Sequence, residues 1–248
     1  MKVAVSVPTP SVPTLAAPPH PARQRRKEAR PQELLDAALA LFVEKGFAAT
    51  RSEQVAQRAG VSKGTLYLYY PSKEELLKAV IRHNLSALIA EGIEMVDNFA
   101  GSTAELLSML IMVWWQRFGN TPASGIHKIM IAEAQNFPDI AAFYTAEVIV
   151  PADALLARTV QRGIDSGEFR PAPLKEMTIV LFAPLIFLCL HKHSLGACPV
   201  AGTEVDAECV IRTHIDIVLR GLLVRPAEKG RRIGDTARPA TKKLAKRA

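Results

Sequence analysis

The 248-residue chain is poor in cysteine, and this scarcity excludes several classes of protein. Its three cysteines are too few for a disulfide framework, and no Cys-x-x-Cys pair is present to hold zinc. Glycine-rich phosphate loops and the Gly-x-Ser-x-Gly and His-Glu-x-x-His motifs are missing too. We therefore expect no catalytic residue, no metal and no cofactor. A reducing cytoplasm is the simplest compartment for such a chain.

Long apolar runs are also absent from the sequence. The longest run covers residues 179–190 and contains Pro184, whereas a membrane-spanning helix needs about 20 residues. We interpret this run as a buried helix and expect no membrane partner. Prolines break up residues 1–21, so this stretch does not fit a signal peptide.

The positive charge of the chain is confined to its two ends. The net charge is +7, but residues 1–30 hold six Lys/Arg against one acid, and residues 225–248 hold nine against two. The middle of the chain is therefore mildly acidic. Basic ends often contact nucleic acid, although a solubilising tail has the same composition. We predict a disordered Pro-rich, basic arm at residues 1–30 and a disordered basic tail at residues 225–248.

The middle of the chain has the apolar periodicity of α-helices. In residues 31–45 the apolar side chains fall on one helical face, with Pro31 suited to the first turn and Gly46 to the end. No later stretch alternates convincingly with the period of a β-strand. The pattern predicts an all-α fold with further helices at residues 52–59, 62–69, 73–98, 103–118, 124–136, 138–166, 173–193 and 204–224.

Residues 50–73 have the spacing of a helix-turn-helix: TRSEQVAQRAGVSKGTLYLYYPSK. Ala56 is small enough for two helices to cross closely, Gly60 permits the tight turn, and Leu66 packs back on the first helix. Thr50 with Glu53 predicts a capping box at the start of the first helix.

The second helix of this motif presents side chains that suit a DNA groove. Lysine supplies charge, threonine a hydroxyl and a methyl group, glycine a close backbone approach, and tyrosine a phenolic donor for phosphate. Tyr70 is expected to be partly buried. The alternative is a short helix pair inside a larger bundle, with the tyrosines as packing residues. The predicted DNA-contacting residues are Ser62, Lys63, Gly64, Thr65, Tyr67, Tyr69 and Lys73.

Residues 33–77 resemble the DNA-binding domain of the TetR/AcrR family of transcriptional regulators. The resemblance adds Thr50 to the DNA-contacting set by its position in the motif. It implies a helix-turn-helix head at residues 31–78 and a larger helical domain at residues 79–224 that dimerises and binds a small-molecule effector. The residues that carry it are Ala37, Phe42, Gly46, Phe47, Thr50, Ala56, Gly60, Val61, Gly64, Tyr67, Tyr70, Lys73 and Leu76.

Residues 103–118 are apolar almost all round, as in a helix buried on most sides. Each side chain alone fits a core position, but the methionines and aromatic rings together could line an apolar cavity. The candidate ligand-pocket residues are Met109, Met112, Trp114, Trp115, Phe118, Phe137, Phe143 and Tyr144.

The C-terminal part carries a second resemblance. Residues 136–171, which end in a Gly-Glu-Phe-Arg turn, resemble the C-terminal domain of an AefR-like branch of the family, and Pro151 is expected to bend their long helix. The family resemblance also implies a homodimer interface formed by helices 173–193 and 204–224. Part of their apolar surface is expected to serve the internal core instead.

The sequence thus predicts a cytoplasmic, homodimeric repressor that binds a palindromic double-stranded DNA operator and leaves it when a small, apolar or aromatic effector binds. The expected link between the two domains is the helix at residues 73–98. Two alternatives stay open. One is a ligand-independent DNA-binding or architectural protein, and the other, which no motif supports, is an enzyme in the helical body.

Overall fold

A computed structural model describes residues 21–198, 200–202 and 204–224. Within these ranges the regular elements are helices, and the only extended pairing is a single bridge between Phe169 and Leu223. The predicted all-α fold is therefore confirmed. The predicted tail at residues 225–248 and the first 20 residues of the predicted arm lie outside the described residues.

The head and the helix that leaves it are built from the first five helices. A π-helical turn, Arg82–Ser86, joins the fourth to the fifth, so residues 73–98 form one continuous helical run, as predicted. The bounds are α1 (Pro21–Lys45), α2 (Ser52–Arg58), α3 (Lys63–Tyr69), α4 (Lys73–Ile81) and α5 (Ala87–Asn98).

The body continues with six further helices. Two more π-helical turns follow the same pattern, Trp115–Gly119 after the sixth helix and Thr145–Ile149 between the eighth and ninth. Short 3-10 turns lie at Pro122–Ser124 and Leu195–Ala197. The bounds are α6 (Thr103–Trp114), α7 (Gly125–Glu133), α8 (Pro138–Tyr144), α9 (Val150–Asp165), α10 (Leu174–Lys192) and α11 (Ala207–Leu222).

The start of α1 differs from the prediction. The helix begins at Pro21, so Pro31 lies inside it and residues 21–30 are not part of a disordered arm. The reason is composition: residues 22–30 are mostly Ala, Arg, Gln, Lys and Glu, which favour helix strongly enough to continue it past a proline that lacks an N–H donor. The end agrees with the prediction, because Gly46 takes a positive φ of 86° directly after the helix.

The head encloses a compact apolar core. Gly60 has a φ of 67° in the turn between α2 and α3, a conformation that glycine adopts without steric cost. This turn lets α3 cross α2 closely enough for Leu66 to be fully buried. The buried side chains of the head core include Leu34, Ala38, Phe42, Phe47, Val55, Ala56, Leu66, Leu76, Val80 and Ile81.

The core of the head continues into the body without a break. The Phe47 ring packs edge-on against Phe137, with 4.9 Å between ring centroids. The backbone N–H of Ala48 donates to Glu133 Oε1 at 3.1 Å. Buried residues of α7 and α8 belong to the same cluster as those of α1 and α4. A displacement of α7 or α8 would therefore change the packing of the head core.

A second core holds the C-terminal half together around Phe169. A Cβ atom placed on Gly163 would lie 2.2 Å from the Phe169 ring, so only glycine lets the ring pack against α9. The adjacent Glu168 accepts the backbone N–H of Thr103 at 2.8 Å, which caps α6. Its own carbonyl accepts the N–H of Val224 at 3.0 Å. Through these hydrogen bonds and the packing of Phe169, the Gly-Glu-Phe-Arg turn links α6, α9 and the end of α11.

By length and composition alone, the helical stretches Pro138–Asp165 and Leu174–Ala197 could each span a membrane. Each also contributes to the core, through Val160 in the first and Leu181 in the second. The predicted burial of the run 179–190 holds for only part of it, since Ile179 and Phe187 are exposed. The reason is that this helix is apolar on every side, and only one side can face the second core.

Candidate DNA-binding face and effector cavity

The helix α3 presents most of its predicted DNA-contacting residues to solvent. Ser62 caps the helix, since its Oγ accepts the N–H of Thr65 at 3.0 Å and lies 2.8 Å from the Thr65 hydroxyl. Lys63, Gly64 and Tyr67 are exposed, and Thr65 is half-buried. The N-terminal turn of α3 is therefore accessible to a groove.

Lys63 is paired within the head. Its ammonium forms an ion pair with Glu53 of α2 and lies 5.7 Å from the centre of the Tyr67 ring. The hydrogen bond between the two groups raises the pKa of Lys63 and lowers the pKa of Glu53. Both side chains are more than half exposed, and such a pair is worth little in water. Exchanging the carboxylate for a DNA phosphate would therefore cost little.

Thr50 lies in the interior, not at the surface. It is 1% exposed, and its hydroxyl donates to the carbonyl of Gly46 at 2.7 Å, with the carbonyl of Leu41 at 3.2 Å. The predicted capping box is wrong: Arg51 occupies the N-cap position of α2, and its N–H donates to Gln54 Oε1 at 3.2 Å. The hydroxyl of Thr50 is used to close the turn after α1.

Lys73 also serves the internal structure of the head. Its Nζ donates to the carbonyls of Phe47, Ala48 and Thr50 at 2.8, 3.2 and 3.1 Å, and it lies 4.4 Å from the centre of the Phe47 ring. Its ammonium thus donates hydrogen bonds to three carbonyls of the turn between α1 and α2. In this arrangement Lys73 stabilises the turn that precedes the helix-turn-helix.

The exposure of the three tyrosines in and directly after α3 differs from the prediction. Tyr67 is exposed, but Tyr69 and Tyr70 are both half-buried against the head core. Tyr69 was expected to face outward, but it lies three residues after the buried Leu66 and therefore on the same side of the helix. Tyr70 is partly buried as predicted, and this burial raises the pKa of its hydroxyl.

Leu68 is a candidate DNA contact that the motif analysis missed. It is 85% exposed, the largest exposed fraction among the large apolar side chains of the described residues. The exposure of Leu68 could have been predicted from the helical period, because a residue two positions after the buried Leu66 points to the opposite side of a helix. An exposed apolar side chain on a recognition helix suits contact with a thymine methyl group.

The body contains a cavity of about 590 Å³ that opens to solvent and is lined by α5, α6, α7, α9 and α10, together with Tyr144 at the end of α8. One wall begins at the π-helical turn after α4, so the cavity reaches the helical run that leaves the head. Apolar side chains form most of the wall, including Leu85, Leu88, Ile89, Met95, Leu110, Ile111, Trp114, Met130, Val148, Leu156, Leu181, Phe182 and Ile186.

Two of the eight predicted pocket residues, Trp114 and Tyr144, lie in the cavity wall. The other six lie elsewhere. Met109 is on the surface, while Met112 and Trp115 pack in the second core. Phe118 is fully buried in the first core and Phe137 packs on Phe47. The Phe143 ring lies under the cations of Lys78 and Arg82, at 5.6 and 4.7 Å. Because α6 is apolar on all sides, its sequence could not indicate which side meets the cavity.

His127 of α7 is a wall residue that the sequence did not single out. Its Nδ1 lies 2.7 Å from the hydroxyl of Tyr144, and its ring packs between Trp114 and Phe118, with centroids 6.0 and 5.2 Å away. Burial lowers the pKa of His127 to about 4, so the ring is neutral near pH 7. Burial likewise raises the pKa of Tyr144. The pair forms a neutral polar spot in an apolar wall.

The helices α10 and α11, predicted to form the dimer interface, carry exposed apolar side chains. Val180 and Phe187 are exposed on α10, and Val210 and Ile217 on α11. Ile217 is 64% exposed and lies two turns after Val210, on the same side of the helix. The opposite side of α11 carries the ion pair Glu208–Arg212. The helix is thus apolar on one outer side and charged on the other.

Cys189 is fully buried in the second core. Burial raises the pKa of its thiol to about 12. A thiol of this kind is unreactive, which agrees with a packing role.

The small helical head carries an exposed, capped second helix and is joined to a larger helical body with an apolar cavity. This combination defines a helix-turn-helix transcriptional regulator. Residues 34–80 match the family model "Bacterial regulatory proteins, tetR family". The repressor KstR2 of Mycobacterium tuberculosis is 31% identical over 140 residues, which are 56% of this chain and 68% of that one. The chain belongs to the TetR family of transcriptional regulators, and it is not an enzyme.

The similarity extends through the body. KstR2 of Mycolicibacterium smegmatis is 29% identical over 201 residues, which cover 81% of this chain and 94% of that protein. The solved structure of the ketosteroid transcriptional regulator KstR2 of Mycobacterium tuberculosis superimposes with a TM-score of 0.54 and 25% identity, over 79% of this chain and 96% of that one. The head and the body thus have the same order as in these repressors.

Proposed function

We propose that the chain is a ligand-responsive repressor that binds a palindromic operator as a homodimer and leaves it when a small apolar effector fills the cavity. The observation that carries the proposal is the shared position of α7. This helix supplies His127, Met130 and Ile131 to the cavity wall and packs against α1 of the head at its first residue, Gly125.

On the DNA side, α3 enters the major groove. Lys63 exchanges Glu53 for a phosphate, while Thr65, Tyr67 and Leu68 face the bases and the backbone. The contacts of Thr50 and Lys73 with the turn after α1 hold this face in shape. A two-fold dimer would place two recognition helices about one helical turn of DNA apart, which requires a palindromic site.

The dimer forms through α10 and α11. Val180, Phe187, Val210 and Ile217 would leave water together when these helices meet their copies. Burial of apolar area at about 25 cal/mol per Å² drives such an association. The charged side of α11 stays in solvent. This arrangement fixes the distance between the two heads, and a cytoplasmic location places the dimer beside the chromosome.

The effector acts by shifting the population between two arrangements of the heads. It must bind one arrangement more tightly than the other, or the equilibrium does not move. Two routes lead from the cavity to the head. Leu85 lies in the π-helical turn that continues α4, and Met130 lies on α7 beside the contact with α1. Filling the cavity would displace either helix.

The relatives suggest the size and polarity of the effector. One relative of this chain, KstR2 of Mycobacterium tuberculosis, is a ketosteroid transcriptional regulator. A cavity of about 590 Å³ with an apolar wall suits a ligand of that kind. We propose an effector of similar bulk for this chain.

The proposal is tested by an unbiased recovery of DNA. The purified full-length chain is incubated with sheared genomic DNA at physiological salt, and the retained fragments are sequenced. We expect enrichment of a few fragments that share a palindrome. The matched control carries Thr65→Ala and Leu68→Ala, which leave Lys63 and the head core intact. This variant should keep salt-dependent binding but lose the shared site.

Recovery of fragments without a shared site would contradict the proposal. It would favour the alternative of a ligand-independent architectural protein whose basic segments supply the affinity. If a palindrome is found, genes beside it will suggest compounds to test for release of the dimer from labelled operator DNA.

A further inference from the structure

The chemistry of the cavity wall indicates more than an apolar ligand. Among the described residues, its polar groups are the side chains of His127, Tyr144 and Thr178, the indole N–H of Trp114 and the carboxylates of Glu91 and Asp153, and no Lys or Arg side chain lines it. The hydroxyl of Thr178 donates to the carbonyl of Lys175 at 2.9 Å. The hydroxyl of Tyr144 pairs with His127 Nδ1.

The second ring nitrogen of His127 is left without a partner. The residue is only 8% exposed, and no hydrogen-bonding group lies within reach of its Nε2. A buried polar atom of this kind costs free energy, and folded proteins rarely leave one unpaired. His127 belongs to the cavity wall, and its Nε2 has no exposed surface, so a bound molecule can supply the missing partner once a neighbouring wall side chain moves aside.

The charges around the cavity restrict what that partner can be. Glu91 and Asp153 are exposed, so they lie where the wall meets solvent, and Glu91 is paired with Arg117. An anionic ligand would face these carboxylates without a cation in the wall to offset them. A cation would have to leave water for an apolar interior to reach His127, and exposed carboxylates return little for that cost.

We propose that the effector is an uncharged, mainly hydrocarbon molecule with a hydroxyl or carbonyl oxygen that hydrogen-bonds to His127 Nε2. This rests on the proposed function, in which the cavity is the effector site. The neutral His127 ring offers either a donor or an acceptor at Nε2, depending on the direction of its bond with Tyr144. Carboxylates and phosphate-bearing thioesters are poor ligands for this wall.

The proposal is tested with three probes that share one hydrocarbon chain and differ in head group: decanol, decanoate and decyltrimethylammonium. Each is titrated into the full-length protein, and binding is followed by tryptophan fluorescence, since one of the two tryptophans, Trp114, lines the cavity. We expect decanol to bind about tenfold or more tightly than either charged probe, because a buried charge without a partner is costly.

Two variants separate the ligand bond from the packing of the ring. His127→Asn keeps an amide where Nδ1 meets Tyr144 and removes Nε2, whereas His127→Gln keeps a polar atom near the position of Nε2. We expect decanol to bind about three- to tenfold more weakly to His127→Asn, and nearly normally to His127→Gln. Thermal melting of both variants checks that the body is folded.

Each contrary result has a distinct meaning. If decanoate or decyltrimethylammonium binds more tightly than decanol, the uncharged class is wrong while the cavity remains the effector site. Equal losses in His127→Asn and His127→Gln would show that Nε2 does not contact the ligand. If no probe binds, both this inference and the assignment of the cavity as effector site are wrong. The DNA recovery experiment tests DNA binding by the head independently of that result.

Discussion

Gly125, the first residue of α7, lies directly against Val43 of α1: a Cβ atom placed on Gly125 would lie 2.5 Å from Val43 Cγ2. That distance is too short for two carbon atoms, so an alanine at this position must push the two helices apart. The contact joins α7, which supplies part of the cavity wall, to the head.

The substitution Gly125→Ala should therefore weaken both folding and operator binding. Overpacking of this kind costs roughly 1–3 kcal/mol, to be measured by urea unfolding. Adding Val43→Ala to the same chain should restore operator affinity, because it removes the methyl groups that the new Cβ meets. Gly221→Ala is the control, since its Cβ would lie 3.9 Å from Arg170 Nη2, an ordinary van der Waals contact. If Gly125→Ala had wild-type stability and operator affinity, the two helices would be able to move apart without cost, which would contradict this prediction.

Two lysines of the head should behave differently when each is replaced by methionine. Lys73→Met removes three hydrogen bonds to backbone carbonyls and should lower the free energy of unfolding by about 1–3 kcal/mol. Lys63→Met loses only an exposed ion pair and should leave stability nearly unchanged. It should weaken operator binding and reduce the slope of log affinity against log salt by about one. A stable Lys73→Met variant with weak DNA binding would instead make Lys73 a direct phosphate contact.

The proposed dimer interface predicts the effect of a charge at its exposed centre. Ile217→Glu should convert the dimer into monomers, because each copy would bring a carboxylate into an apolar contact, and operator affinity should fall with it. Sedimentation velocity measures the change. Arg212→Ala on the charged side of α11 is the matched control and should remain dimeric. Monomeric wild-type protein at micromolar concentration would remove the basis of this prediction.

His127 predicts how stability depends on pH. Its pKa is about 4 in the folded chain, against an ordinary value of 6.5, so the unfolded chain binds more protons between these values. Stability should therefore be complete above about pH 6.5 and decline as the pH falls toward 4, by up to about 3 kcal/mol. Urea unfolding across this range measures the decline. His127→Asn, which cannot titrate there, should show a flatter profile, and parallel profiles would contradict the assignment.

The helix-turn-helix was predictable because its signals are local. The positions of Ala56, Gly60 and Leu66 depend on contacts between helices that adjoin in sequence, and the structure confirms the two helices that they join. Thr50 and Lys73 could not be placed in the same way. Their partners are backbone carbonyls of the turn after α1, and a carbonyl has no signature in the sequence.

The cavity was less predictable because its wall is assembled from side chains spread between Leu85 and Leu190. Trp114 and Met109 lie on the same apolar helix, yet only Trp114 faces the cavity. Which side of α6 turns inward depends on where α7 and α10 pack. His127 was overlooked for a related reason, since a single histidine between apolar residues does not reveal that one of its nitrogens lacks a partner.

The π-helical turn Thr145–Ile149 affects how this chain should be compared with its relatives. A turn of this type holds one residue more than a turn of α-helix, and it absorbs that residue without interrupting the helix. Pro151 lies two residues after this turn, at the start of α9. A relative with an uninterrupted α-helix would be one residue shorter here. Sequence alignments should therefore place a single-residue gap inside this helix, where gaps are normally penalised, or the side chains of α9 will be matched to the wrong partners.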